Sequence, residues 1–203
     1  EIRNKHCYEY IPDWRIKEAK SKAKRANERE NLQLKNHENL KITRHMMKRG
    51  EHINNLTYAV RVYFKLYSDE RFKNLNSRDS LELEATKEIA DDIRIGFINV
   101  LQKEEFQKLP SLDEIIAAEQ KNSYPYWWYI PLAGLAELMS QDRIDDLKSE
   151  VIEVLVGLYI QLIIEDKSDA LELAISYIHV TYPDKVRNVV KVLTDGSLKS
   201  SKK

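Results

Sequence analysis

The sequence predicts an all-α protein, a long basic N-terminal helix followed by stacked antiparallel helical hairpins. Three observations lead there. Apolar residues recur at steps of three and four through most of 50–195, and alternation with a step of two is nowhere sustained. Gly and Pro number only five each in 203 residues, too few for a fold built on tight turns. Strong helix formers fill the first fifty positions, where charge is also laid out unevenly. Residues 1–50 carry fourteen Lys/Arg against seven Asp/Glu, so an arm of net +7 precedes a body of net −7 in a chain that is neutral overall. Such a field governs what the ends associate with rather than how they fold.

The first helix is expected from about Asp13 to Arg49. Its start is strongly polar, its apolar residues (Leu32, Leu34, Leu40, Ile42, Met46, Met47) gather in the second half, and basic Lys48 and Arg49 precede Gly50 as a stop signal. The next helix shows Ile53, Leu56, Val60, Phe64 and Tyr67 on one face, and Ser68–Arg78 reads as a loop. One long helix is then expected, with Ala85, Ile89, Ile93, Phe97, Val100 and Leu101 as its stripe and Glu84, Lys87, Glu88, Asp91 and Arg94 on the opposite side. Pro110 and the capping box Ser111-Leu-Asp-Glu114 open a short helix.

The aromatic run Tyr124–Tyr129 leads into a helix with Pro131 in its first turn and Leu132, Leu135, Leu138 and Met139 along it. Three further stripes follow: Ile144 to Leu162, Leu171 to Ile178, and Val186 to Leu193, the last ending at Asp195-Gly196. Very short joints make these antiparallel neighbours, in the manner of a degenerate HEAT-like or irregular helical solenoid. The organisation expected is therefore a basic helical arm over 1–50, a helical-hairpin domain over 51–196 and a disordered tail over 197–203.

Cys7 is the single cysteine, so no internal disulfide forms and a cytoplasmic setting is the expectation. No apolar run approaches the length of a membrane span, and no signal segment opens the chain. Membrane partners are not expected. The chain starts at Glu1 without an initiator Met, which suggests a piece of a longer polypeptide.

No catalytic motif is present. His37, His45 and His52 are spaced eight and seven residues apart, two turns each, too far for one ion, and the His6-Cys7 pair lacks partners. The acidic row Glu84, Glu88, Asp91 and Asp92 has no Glu-x-x-His element to complete a dimetal site and reads as a solvated face or as the counterpart of a basic surface such as the arm. No metal, cofactor or enzymatic activity is expected.

Two interaction surfaces remain as candidates. Lys20, Lys22, Lys24, Arg25 and Arg29 could track a phosphate backbone, but acids are interleaved at helical spacing, which favours a self-paired, solvated helix over nucleic-acid binding. Tyr126, Trp127 and Trp128 could offer stacking faces. Only Lys121 lies nearby in sequence, which favours a core plug between helix layers.

Tyr10-Ile-Pro-Asp-Trp14-Arg-Ile with the long charged helix after it, the helix begun after Gly50, Leu109-Pro-Ser-Leu-Asp-Glu-Ile-Ile116 and Pro131-Leu-Ala-Gly-Leu135 together resemble, over residues 8–140, the helical repeat-like region of large bacterial multidomain NTPases of the NACHT/STAND type. The resemblance implies a scaffold or sensing segment attached to a nucleotide-driven switch in anti-phage defence, in contact with other domains of its parent chain or a protein partner. The phosphate-binding loop of that family is not in this chain, so nucleotide binding is assigned to no residue.

Overall fold

The computed structural model describes residues 13–103, 109–162, 164 and 169–200. Among them every regular element is helical: α1 (Asp13–Arg49), α2 (Ile53–Tyr63), α3 (Ser77–Ala85), α4 (Lys87–Gln102), α5 (Leu112–Gln120), α6 (Tyr129–Met139), α7 (Ser149–Gln161), α8 (Asp169–Thr181) and α9 (Pro183–Ser200). The chain divides into two compact units, 1–38 and 39–203, with the break inside α1.

In the first unit α1 is exposed at every position from Asp13 to Leu32. Its side chains answer one another: Lys22 pairs with Glu18 at 2.8 Å and Lys24 with Glu28 at 3.9 Å, both at i,i+4 spacing.

The second unit begins with the last turns of α1, where Leu40 and Met47 are buried. Gly50 closes the helix at φ +87°. Its N–H donates to the Met47 carbonyl at 2.9 Å and that of Glu51 to Met46 at 3.0 Å, the paired bonds of a Schellman stop. The same pairing ends α2 at Lys65, α5 at Asn122 and α6 at Asp142, all in the left-handed region. Starts are capped as local chemistry dictates. His52 Nδ1 accepts from the Asn55 N–H, the Asn76 side chain caps α3, and Ser111 with Glu114 forms the expected capping box of α5.

The core sits around α6, buried from Tyr129 through Leu138. A helix apolar on all sides belongs in the middle, and α6 packs on α2, α4, α7 and α8. Its most extensive contact is with α4, where Gly134 lets the helices close to a separation that leaves no room for a Cβ: one would come within 2.5 Å of the Phe97 carbonyl oxygen. Helices α5, α7 and α9 pack on one another. Contacts thus run between helices two apart in the chain and also four apart, as for α2 with α6 and α5 with α9, besides neighbours such as α3 and α4, so the order is not a row of hairpins touching only their neighbours.

Three expectations are corrected. The long helix expected across 84–102 is broken at Thr86, which takes φ 73° and ψ 151° between α3 and α4. Glu84 consequently turns inward on α3 instead of lying on a solvated face. Helix α9 also continues past Asp195-Gly196 to Ser200, so 197–200 are helical while 201–203 lie outside the described residues. Gly196 is a contact rather than a stop, because a Cβ there would meet the Ile116 side chain at 2.7 Å.

Candidate functional site

The buried acids are the first place to look for chemistry, and each is bound into the framework. Glu137, wholly inaccessible on α6, receives the Tyr63 hydroxyl at 2.9 Å, Arg78 Nη2 at 3.0 Å and Arg94 Nε at 2.9 Å. Burial, followed by the Glu137 charge, pushes the Tyr63 phenol well above its ordinary value, so it stays a donor. Glu84 accepts from the Tyr58 hydroxyl and from Arg71 Nη1 at 3.0 Å.

Asp92, also buried, is held by Arg44 and by Lys48 at 2.8 Å, while Arg44 reaches Glu88 at 2.8 Å. Burial raises the Asp92 carboxyl, but Lys48 and Arg44 together outweigh it and hold it below the usual carboxylate range. Of the acidic row, Asp92 and Glu88 therefore serve as counterparts to the basic C-terminal turns of α1, and Asp91 pairs with Arg94 on its own helix at 2.8 Å. Among the described residues no three His, Cys, Asp or Glu side chains gather as a metal site. His6 and Cys7 lie outside the described residues.

The five basic candidates Lys20, Lys22, Lys24, Arg25 and Arg29 are all exposed on α1. At 3.6 residues per turn they do not share a face: Lys22, Arg25 and Arg29 line one side, Lys20 and Lys24 another, roughly 150° around the helix.

The aromatic run separates into different roles. Tyr126–Trp128 forms one 3-10 turn leading into α6. Trp128 is buried, packed edge-on to Trp127 with ring centroids 6.0 Å apart and near Tyr124 at 6.2 Å, and its indole N–H has no hydrogen-bond partner among the described residues. Trp127 is half-buried, and Tyr126 stands 47% exposed.

Tyr126 faces a cleft of about 410 Å³ whose walls include Phe64, Lys65, Tyr67, Ser68 and Tyr129. The Schellman turn after α2 supplies one wall and the 3-10 turn before α6 the other. Arg61, in the last turn of α2, lays its guanidinium on two of the rings, 4.6 Å from the Tyr126 centroid and 5.4 Å from that of Tyr67. No carboxylate among the described residues pairs with it, and its Nε is buried without a hydrogen-bond partner. Burial, then the Glu84 charge, pushes Tyr67 up to about 12, and burial raises Tyr129 as well, so both phenols are neutral donors at physiological pH.

Sequence reasoning missed Arg61, Phe64, Lys65 and Tyr67 as companions of Tyr126. Sequence separation hides them, since the cations that an aromatic platform needs come from a helix some sixty residues earlier. Set beside known proteins, this chain finds no matching family model, no matching curated protein and no matching solved structure. Among the described residues no helix is long and apolar enough to cross a membrane.

Proposed function

We propose that this chain is a non-catalytic helical scaffold or sensing segment that mediates contacts with other domains of a larger protein or with a protein partner. The observation that carries the reading is α1 from Asp13 to Leu32, exposed throughout and charged on all sides. A helix polar all round buries no core; it persists as a solvent-crossing bridge stabilised by i,i+4 pairs such as Lys22–Glu18. The buried acids support the same reading, since Glu84, Asp92 and Glu137 tie helices together and hold no open position for a reacting group. The motifs resembling NACHT/STAND-type NTPases support a parent protein of that kind, a bacterial, cytoplasmic defence switch.

Nucleic-acid binding through the basic arm is the other reading, and the placement of the five cations on two sides of α1 weighs against it, because a phosphate backbone is tracked by one face. A salt titration of random-duplex binding separates them. The scaffold reading expects weak affinity that replacing Lys20, Lys22, Lys24, Arg25 and Arg29 leaves unchanged. Sub-micromolar affinity near physiological salt that collapses in the five-site variant, with a salt slope flattened by about one unit per lost phosphate contact, would overturn it.

A further inference from the structure

Tyr126 and Trp128 share one 3-10 turn and part company there: Trp128 is buried, whereas Tyr126 stands 47% exposed on the cleft after α2. Four of the seven residues lining the cleft are aromatic, and apart from Lys65 its polar side chains are hydroxyls, those of Tyr67, Ser68, Tyr126 and Tyr129. Tyr126 and Tyr129 lie side by side, their ring centroids 6.3 Å apart and their planes tilted by 33°, and Phe64 continues the row 6.4 Å from Tyr129. The charges around this surface are already matched. Arg71 holds Asp69 and Glu84, Lys73 holds Glu70, and Lys65 has a partner of its own. A guest bringing a charge of either sign would therefore have to break an existing pair to make a new one.

We propose that the cleft receives an uncharged, proline-rich segment of a protein partner in the polyproline II conformation, its rings against Tyr67, Tyr126 and Tyr129 and its carbonyls accepting from the hydroxyls of the walls. The inference rests on the interaction-module reading above and names the partner's chemistry. A polyproline II helix has no internal hydrogen bonds, so its carbonyls stand out as acceptors, and proline brings no N–H that the walls would have to satisfy. Its shape exists before binding, which keeps the ordering cost low, and aromatic-lined grooves are the surfaces that recognise it. An organic cation, the usual guest of an aromatic cage, is a poorer fit because Arg61 already lies on the ring faces of Tyr67 and Tyr126. A nucleic-acid strand needs a cationic track beyond its first base, and beyond Ser68 the chain runs into Asp69 and Glu70 instead.

Calorimetric titration of the whole chain with acetylated, amidated hexaproline tests this. Saturable binding with a Kd below about 1 mM is expected. A Gly-Ala peptide of the same length keeps the carbonyls but lacks the rings and the preformed helix, and it should bind at least about tenfold more weakly. On the protein, Tyr126→Ala should weaken hexaproline binding by at least about fivefold, and Tyr126→Phe, which keeps the ring and drops the hydroxyl, should fall between that variant and the parent. Helix content by circular dichroism should match the parent in both. Because no ion pair forms, a tenfold rise in salt should change the Kd by less than about twofold. No binding at millimolar hexaproline, equal binding of the Gly-Ala peptide, a steep salt dependence, tighter binding of an oligothymidylate, or parent-like binding by a folded Tyr126→Ala would each overturn the proposal. Failure of the wider scaffold reading would appear instead in the salt titration of α1, a surface these peptides do not engage.

Discussion

Arg94 on α4 donates through Nε to Glu137 of α6 at 2.9 Å, placing a guanidinium against a carboxylate that solvent does not reach. Arg78 from α3 and Tyr63 from α2 converge on the same group, so a single acid joins four helices. Removing one member of such a pair strands the other charge in a dry site. Glu137→Ala should therefore cost about 3–5 kcal/mol. The double variant Glu137→Met with Arg94→Met should cost less than its two single changes summed, because no charge is left stranded between them. Urea denaturation of the parent, Glu137→Ala, the two Met single variants and the double variant measures both. A Glu137→Ala chain within about 1 kcal/mol of the parent would show that the cluster is not a fastening.

Gly96 of α4 lies beneath the end of α1. A Cβ there would stand 2.1 Å from the Met47 carbonyl oxygen, a backbone atom that cannot move aside without shifting the helix. Asn99 donates to the Lys48 carbonyl at 2.6 Å in the same contact. Gly96→Ala should cost about 3 kcal/mol, at the upper end for overpacking. It should also release Arg44 and Lys48 from Asp92. A melting temperature equal to the parent's would contradict this close approach.

Thr86 is held at φ 73° and ψ 151°, a region that β-branched residues avoid and only glycine enters freely. Its side chain makes no capping bond to offset the strain. Thr86→Gly should stabilise the fold by about 1 kcal/mol, the left-handed penalty less the entropy a glycine adds to the unfolded chain. Destabilisation by that amount would mean that the Thr86 side chain contributes a contact worth more than the strain.

That threonine also marks where the sequence stops being legible. Helical stripes such as Ile89, Ile93 and Phe97, the Ser111–Glu114 box and the Gly50 stop are local signals, and the structure has each where periodicity and capping chemistry place it. The break at Thr86 has no local signal, because threonine is not a helix breaker, and α3 and α4 pack on one another across it. The acidic row reads as a solvated face or as a counterpart of the basic arm; Asp92 follows the second reading by pairing with Arg44 and Lys48, whereas Glu84 follows neither, because its partner Arg71 comes from the turn before α3. Gly196 carries the residue type of a helix stop, yet its role is set by Ile116, eighty positions away. The cleft was half legible for the same reason: Tyr126 was visible, and Arg61 was not.

Tyr67 gives a pH dependence with a definite sign. Burial, then the Glu84 carboxylate, raises its phenol to about 12 in the folded chain, whereas an unfolded tyrosine releases its proton near about 10. Between those values the unfolded state binds fewer protons than the folded one, so stability declines as pH rises through that window and is unaffected by this group below it. Tyr67→Phe removes the titrating proton and should flatten that part of the alkaline decline. It also removes one ring hydroxyl from the wall of the cleft while keeping the face on which Arg61 lies. Denaturant midpoints of both proteins taken across neutral to alkaline pH measure the difference, with phenolate absorbance following the ionisation directly. Identical alkaline slopes for parent and variant would show that Tyr67 ionises alike in the folded and unfolded chains.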